Sequence, residues 1–140
     1  MRNERSDRSG KMLRIFLSRR SRGEDRGFAN DLAWEPSVDI LETETKIIVM
    51  VDISGMDGDS IDVFTDGEKL RIEGERHYPP LEGRRQFHQI EIPMGRFRRE
   101  IDLPVPVDRD RTEAAYEKGI LKISIGKIDP SKRTRKVDIE

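Results

Sequence analysis

The most informative stretch of this 140-residue chain is AAYEKGILKISI, residues 114–125. From Leu121 onward it alternates strictly, because Leu121, Ile123 and Ile125 are apolar and the residues between them are polar. This two-residue period is typical of a strand with one buried face. The segment Glu117-Lys118-Gly119 interrupts the pattern, and glycine is frequent where a hairpin turns. The stretch therefore predicts a β-hairpin.

The same alternation recurs upstream of this hairpin, in short segments separated by glycine, proline or aspartate. The clearest example is Ile47–Ile53, in which every second residue is a valine or an isoleucine. Further segments of this kind are Val38–Leu41, Ile61–Phe64, Leu70–Glu73 and Phe97–Leu103. About seven or eight short strands without a convincing long helix predict an all-β fold, an immunoglobulin-like antiparallel β-sandwich. The sandwich is expected to cover Pro36–Lys127.

The composition excludes several classes of protein. The absence of cysteine excludes a disulfide scaffold, a thiolate zinc site and a cysteine nucleophile, and it fits a reducing compartment. The longest apolar run, Ile47–Val51, is far shorter than the roughly 20 residues of a membrane-spanning helix. Basic residues are in excess within residues 1–27, and acidic residues are in excess in the rest. We therefore expect a cytoplasmic protein without a membrane span, in which a basic arm precedes an acidic body.

No arrangement of residues indicates catalysis or cofactor binding. The chain lacks the glycine-rich pattern of a nucleotide-binding loop. The two histidines, His77 and His88, do not have the spacing of a helical metal site. No serine lies in a nucleophile-elbow context, and the many carboxylates are expected on a solvated surface. We expect no enzymatic activity, no cofactor and no metal.

The N-terminal arm, residues 1–33, is predicted to be flexible because it carries too few apolar residues to form a core. Two interpretations of its apolar cluster around Met12–Leu17 remain open. The cluster forms either a short helix packed on the body or an exposed adhesive patch for self-assembly or for binding other chains. The arginines of the arm also suit a nucleic-acid contact, but interspersed acids, the lack of an aromatic ladder and the acidic body argue against it.

Two further segments stand outside the strand pattern. Residues 75–94 form a long connection with a single expected strand, Arg85–Ile90, and loops of this length are generally functional. The C-terminal extension, residues 128–140, ends in Val137-Asp138-Ile139. In an extended chain Val137 and Ile139 point to the same side. They either fill paired pockets at a sheet edge or belong to a disordered tail.

Taken together, these motifs resemble the small heat shock proteins, whose shared module is the α-crystallin domain, here residues 34–127. Ala114, Gly119 and Leu121 match the family's A-x-x-x-N-G-V-L signature, in which Lys118 takes the place of the asparagine. The chain also departs from the pattern at Gly126, where many members carry proline. The other similar stretches are Trp34–Ile40 (W-x-P-x-x-D-I/V), Gly95–Asp108 (G-x-F-x-R…LP…VD) and Val137–Ile139 (I/V-x-I/V).

The resemblance implies an ATP-independent holdase that binds unfolding proteins and prevents their aggregation as a dimer-based oligomer. In the bacterial, archaeal and plant type, dimers form by exchange of a strand held in the long loop. The resemblance assigns Val137 and Ile139 to oligomerisation. It assigns to the dimer interface Arg85, Phe87, His88, Ile90 and Arg99.

The expected partners are unfolded client proteins and further copies of the chain, with no nucleic acid and no membrane span. The residues expected to bind clients are the apolar ones of the arm and its junction with the body. They are Met12, Leu13, Ile15, Phe16, Leu17, Phe28, Leu32 and Trp34. The main alternative is a co-chaperone or assembly adaptor with the same sandwich fold, followed by an RNA-binding protein that uses the basic arm.

Overall fold

Most of the alternating segments form strands where the alternation predicts them. The structure is a computed structural model that describes residues 2–6, 12–16 and 34–129. A 3-10 helix, Gly58–Ser60, precedes the fifth strand. The strands of these residues are β1 (Arg2–Ser6), β2 (Met12–Phe16), β3 (Val38–Glu42), β4 (Lys46–Asp52), β5 (Ile61–Thr65), β6 (Lys69–Arg76), β7 (Gly95–Asp102), β8 (Val107–Glu117) and β9 (Ile120–Lys127).

The strands form two sheets that pack face to face. The four-stranded sheet has the order β3-β4-β9-β8 and is antiparallel throughout. The five-stranded sheet has the order β1-β2-β5-β6-β7, and all its neighbours are antiparallel except β2 and β5, which run parallel. The all-β sandwich predicted from the sequence is confirmed, with one parallel pair that the alternation did not indicate.

The core lies between the sheets and is built from the alternating apolar residues. In β4, Ile47, Val49 and Val51 are fully buried, whereas the residues between them are partly exposed. Burying each such side chain contributes about 1.5–3 kcal/mol, so this layer holds the sheets together. The other side chains without exposed surface are Ile53, Ile61, Val63, Leu70, Ile72, Phe97, Leu121, Ile123 and Ile125.

The N-terminal arm forms two strands where the structure describes it, which its composition did not predict. β1 and β2 form an antiparallel pair, and β2 joins the five-stranded sheet beside β5, in place of the helix considered for this segment. Without β2, β5 would be an edge strand with unpaired backbone N–H and C=O groups. Pairing satisfies those groups and buries Ile15, which is 1% exposed. Composition did not predict this stabilisation of β2, because the strand that pairs with it and the core that buries Ile15 belong to the body.

Two segment boundaries also differ from the sequence prediction. β6 continues through Gly74 to Arg76, so that the long loop is 77–94 rather than 75–94. A Cβ at position 74 would lie 2.5 Å from Cζ of Phe97, and the glycine therefore serves close packing rather than ending the strand. Within the loop of this single chain, the expected strand Arg85–Ile90 is not formed. A strand needs a partner edge, and no strand of the described residues pairs with this segment.

The hairpin between β8 and β9 explains one departure from the family signature. Lys118 and Gly119 form its two-residue turn, with φ angles of 53° and 81°. A turn with two left-handed residues favours the pair Asn-Gly, because most other side chains are strained there. A Cβ at Gly119 would also lie 2.8 Å from Cβ of Ser54. Lys118 is the residue that carries avoidable strain in this turn.

Replacing Lys118 by asparagine is expected to stabilise the chain. Asparagine tolerates the left-handed region better than lysine, and Lys118→Asn should raise the free energy of unfolding by about 0.5–1 kcal/mol. The measurement is urea unfolding at one fixed protein concentration. Lys122→Asn is the matched control, since it removes the same charge from an exposed strand position where asparagine is disfavoured. A stability gain in the control but not at Lys118 would contradict the strain argument.

Candidate functional site

The loop between β6 and β7 carries a group of exposed apolar side chains. Leu81, Phe87, Ile90 and Ile92 are between 47% and 64% exposed. β6 and β7 are antiparallel neighbours, and about two to five residues would suffice to connect them. The length of loop 77–94 therefore serves a purpose other than closing the hairpin. Clustered apolar side chains on a surface mark interaction sites.

The edge strand β3 is apolar as well. Ile40 and Leu41 are 43% and 46% exposed, and as consecutive strand residues they lie on opposite faces of the sheet. Within the described part of the chain, β3 pairs with β4 on one side and with no strand on the other. An edge strand that exposes backbone groups and apolar side chains on both faces is a template for another strand.

Arg76 fixes the base of the long loop. Its Nε and Nη2 atoms both donate to the carbonyl of Pro93, with Nε at 2.9 Å, and its Nη1 donates to the carbonyl of Ser54 at 3.1 Å. Arg76 is the last residue of β6, and Pro93 lies just before β7. One buried guanidinium therefore joins the start of the loop, its end and the corner after β4. Charged donors make strong hydrogen bonds when they are buried in this way.

Trp34, which the sequence analysis assigns to client binding, completes this base, and its role in client binding stays a prediction. Its ring centroid lies 4.1 Å from Cζ of Arg76 and 4.9 Å from the ring centroid of Phe97. Its Nε1 donates to the carbonyl of Gly95 at 3.0 Å. Because the indole is half-buried and hydrogen-bonded, Trp34 anchors the entry segment to the edge of β7.

Arg99 pairs with a carboxylate at the same edge. Its Nη1 lies 3.5 Å from Oε2 of Glu35, and the two side chains are 37% and 65% exposed. Ion pairs exposed to this extent contribute about 0–1 kcal/mol. The sequence did not identify Glu35 as a partner, because the pair joins the entry segment to β7. A role of Arg99 in a dimer interface stays a prediction.

The structure separates the residues that were assigned to clients and assembly. Ile15 lies in the core, so it is not an exposed client contact in this arrangement. Met12, Leu13 and Phe16 belong to β2, beside β5. Arg85, Phe87, His88 and Ile90 are all exposed in the loop. Outside the described residues lie Leu17, Phe28, Leu32, Val137 and Ile139.

The C-terminal motif is expected to dock at a sheet edge, and the structure shows which strands form the edges. β9 lies inside its sheet, and its residues Leu121, Ile123 and Ile125 are fully buried. β8 is the edge strand on that side of the four-stranded sheet. β2 occupies the edge of β5 and also contacts β8 and the 3-10 helix.

An ion cluster on the outer face of the five-stranded sheet escaped the sequence analysis. Glu73 is buried, and its Oε1 lies 2.8 Å from Nε of Arg71 and 3.1 Å from Nη2 of Arg98. The guanidinium of Arg71 also lies 4.7 Å from the ring centroid of Phe64. Alternation predicts exposed side chains here, because it does not show which outward residues become covered.

The described residues contain no group of three or more histidine, aspartate or glutamate side chains that could hold a metal ion. His77 and His88 both lie exposed in loop 77–94. Of the segments that the structure describes, none is a helix long and apolar enough to cross a membrane.

Comparisons with known proteins agree with this architecture. The model of the Hsp20/alpha crystallin family matches residues 39–140. Small heat shock protein C2 of Rickettsia felis is 33% identical over 105 residues, which are 75% of this chain and 68% of that protein. The 17.8 kDa class I heat shock protein of Arabidopsis thaliana is 32% identical over 101 residues, which are 71% of this chain and 64% of that protein.

The fold also matches solved structures. A small heat-shock protein from Xylella fastidiosa, described as having a distinct high order structure, superposes with a TM-score of 0.65 and 31% identity. That match covers 77% of this chain and 98% of the solved chain. HSP18.5 from E. histolytica gives a TM-score of 0.63 with 29% identity, over 76% of this chain and 98% of the other.

Removing the guanidinium of Arg76 is expected to loosen the loop. Arg76→Met keeps an aliphatic stem but leaves the carbonyls of Pro93 and Ser54 without this donor, which should cost about 1–3 kcal/mol of stability. Chymotrypsin cleavage after Phe87 should become about tenfold faster, because local opening exposes the loop. Arg96→Met is the matched control, since the side chain of Arg96 is 41% exposed and its Nε lies 4.0 Å from Oε2 of Glu75. Equal cleavage rates in the two variants would contradict the role of Arg76.

Proposed function

This chain belongs to the Hsp20/alpha crystallin family, the small heat shock proteins, and on that premise we propose that it is an ATP-independent holdase acting as a dimer-based oligomer. Members of the family are chaperones of the stress response rather than enzymes, and they typically self-assemble and bind client proteins. The observation that carries the proposal is the exposed apolar loop 77–94 together with the open edge of β3. A cytoplasmic location is part of the proposal.

The dimer forms when the loop of one copy adds a strand to β3 of another. The sequence pattern of Arg85–Ile90 predicts a strand, but the segment pairs with no other part of the chain that the structure describes. β3 offers unpaired backbone groups and the exposed side chains of Ile40 and Leu41. Pairing satisfies the backbone and covers Phe87 and Ile90 in the same step. In a two-fold symmetric dimer this contact is made twice, which doubles its contribution to the stability of the dimer.

The base of the loop supports this exchange. Because Arg76 joins Pro93 to the end of β6, the loop leaves the sandwich as a closed projection rather than as a loose chain. A projection with fixed ends loses less conformational entropy on docking. Arg99 and Glu35 lie at the neighbouring edge of β7, where a second copy approaches, and Arg99 is proposed to interact there.

Clients are bound by apolar residues of the arm, because burial of apolar surface is non-directional and suits chains of any sequence. The residues proposed for this role are Met12, Leu13, Ile15, Phe16, Leu17, Phe28 and Leu32. For Ile15 the role requires β2 to leave β5, since its side chain is in the core. Holding a client by burial needs no nucleotide.

Larger oligomers form when Val137 and Ile139 of one dimer dock at the sheet edge between β5 and β8 of another. Two apolar residues with one residue between them suit adjacent pockets beside an edge strand. Each contact is weak, but a dimer carries two tails and two edges, so several contacts act together.

A charge at the β3 edge is expected to dissociate the dimer. Leu41→Glu places a carboxylate where the loop of the partner is to pack, and the dimer dissociation constant should rise at least tenfold. Analytical ultracentrifugation across a dilution series measures the change in mass. Ile120→Glu is the control, because Ile120 is 37% exposed but lies on β9, away from β3. An unchanged dimer in Leu41→Glu, with the loop still protected, would show that β3 does not accept it.

Holdase activity is tested by heating a labile client without ATP and following light scattering. The wild-type protein at about one subunit per client should suppress aggregation, since exposed apolar segments of the client are covered. Phe28→Ser with Leu32→Ser should weaken suppression several-fold, whereas Ile120→Ser should retain it. Wild-type protein that leaves scattering unchanged would favour an assembly adaptor instead. Full activity of the double variant would remove Phe28 and Leu32 from the client site.

A further inference from the structure

One edge of the sandwich is already occupied by the chain itself. β2 runs parallel to β5 with the register Arg14 to Asp62, Ile15 to Val63 and Phe16 to Phe64. β2 also contacts β8, the edge strand of the opposite sheet. The occupied position is therefore the mouth of the sandwich between β5 and β8.

The buried side chain of Ile15 shows what this position accepts. Ile15 is 1% exposed and belongs to the same core cluster as Val63 and Ala114. Val63 comes from β5 and Ala114 from β8, and β2 contacts both of these strands, so an aliphatic side chain from outside the two body sheets enters the core at this side. The position is an apolar slot beside a strand that can pair with a guest.

The two ends of the chain contain the same pattern for such a slot. The arm has Leu13-Arg14-Ile15 and the tail has Val137-Asp138-Ile139, each with two aliphatic residues around one charged residue. Alternation places the two aliphatic residues of such a triplet on one side of an extended chain. One slot accepts one of these triplets at a time.

We propose that Met12–Phe16 is a displaceable occupant of the β5 edge, and that the Val-x-Ile tail of another copy competes with it for that position. The inference rests on the tail docking proposed above. Its consequence is that each docked tail releases a segment that contains Met12, Leu13, Ile15 and Phe16. Assembly then exposes Ile15, a proposed client-binding residue that the core of an isolated subunit covers, and frees the rest of that segment from β5.

The contacts of β2 with the body suit an occupant that leaves. Its pairing with β5 extends over three residue pairs, whereas β4 and β9 pair over seven. A parallel pairing of three residues is weak, and Ile15 is a side chain through which β2 enters the core. While β2 is docked on β5, the position is not available to a guest strand. The apparent affinity of the guest therefore falls in proportion to the fraction of subunits in which β2 is undocked. Weakening the occupant must therefore tighten binding of the guest.

Charge favours the arm over the tail in this register. Arg14 stands opposite Asp62, which is an attractive pair, whereas Asp138 in the same position would face a like charge. The resident strand therefore has the advantage in an isolated subunit. The tail gains the advantage when several tails and edges meet in one assembly, because their local concentration is high.

The experiment measures binding of a fluorescent peptide with the sequence of residues 130–140 by anisotropy. The receptor is the full chain carrying Val137→Ser and Ile139→Ser, so that its own tail does not compete. Adding Ile15→Ser should tighten peptide binding about tenfold, because the occupant loses its buried side chain. The control peptide carries the same two serine substitutions and should not bind. Circular dichroism and a melting curve verify that Ile15→Ser is folded.

A disulfide lock that holds β2 on β5 should have the opposite effect on peptide binding, and it can be formed and reduced in a single variant. Arg14→Cys with Asp62→Cys introduces the only two cysteines of the chain. Neighbouring strands lie about 4.8 Å apart, which is within the Cα separation of a disulfide. Oxidation should hold β2 on β5 and weaken peptide binding at least tenfold, and reduction should restore it. This comparison decides the proposal even where Ile15→Ser fails to fold.

The outcomes separate the two proposals. Equal peptide affinity for the oxidised and reduced lock overturns the competition but leaves tail docking intact. Absence of peptide binding to every variant, including the reduced lock and Ile15→Ser, overturns the tail docking and the competition with it. Tighter binding with Ile15→Ser together with loss on oxidation supports both.

Discussion

An open β-sandwich has four edges, and backbone groups along each edge must find partners. In this chain the four edges of the body are β5 and β7 of one sheet and β3 and β8 of the other. β2 covers β5, and the entry segment with Trp34 covers part of β7. β3 has no second partner within the described residues. Which segment covers each edge strand, more than the composition of the core, determines what the protein contacts.

The core allows an edge strand to leave or arrive, because its buried layer does not depend on the edge strands. Ile47, Val49 and Val51 face Val63, Ile72 and other residues of the opposite sheet without any exposed surface. A layer of that kind keeps the sandwich folded while an edge strand leaves or arrives. The base of the long loop has the same independence, because a guanidinium hydrogen bonds to backbone carbonyls there rather than to the loop's own side chains.

The sequence predicts the parts of the fold in which one strand face is buried by its neighbours in the chain. Alternation located β4 and β9 correctly, since their two faces differ in every second residue. It failed for β2, because the edge that buries Ile15 lies about fifty residues further along the chain. It failed for Gly74 as well, since only the packing of Phe97 shows why a side chain is excluded there.

The same limit applies to the functional residues. Arg76 had no visible signal beyond its position between a strand and a proline-bounded loop, because its acceptors are backbone carbonyls that carry no side-chain signature. The segment Arg85–Ile90 resembles a strand in sequence but pairs with no strand among the described residues. The structure of one copy therefore shows it as an exposed loop, and the proposed partner strand lies in a second copy.

The proposed exchange of strands at edges gives a physical reason why a chaperone of this kind needs no nucleotide. A guest strand at an edge replaces hydrogen bonds and apolar contacts that another strand made before, so the free-energy difference between the two states is small. Small differences are shifted by temperature, concentration and the amount of unfolded client. The near balance of 27 basic and 28 acidic residues leaves little overall charge to oppose assembly, so local contacts at the edges decide which partner is bound.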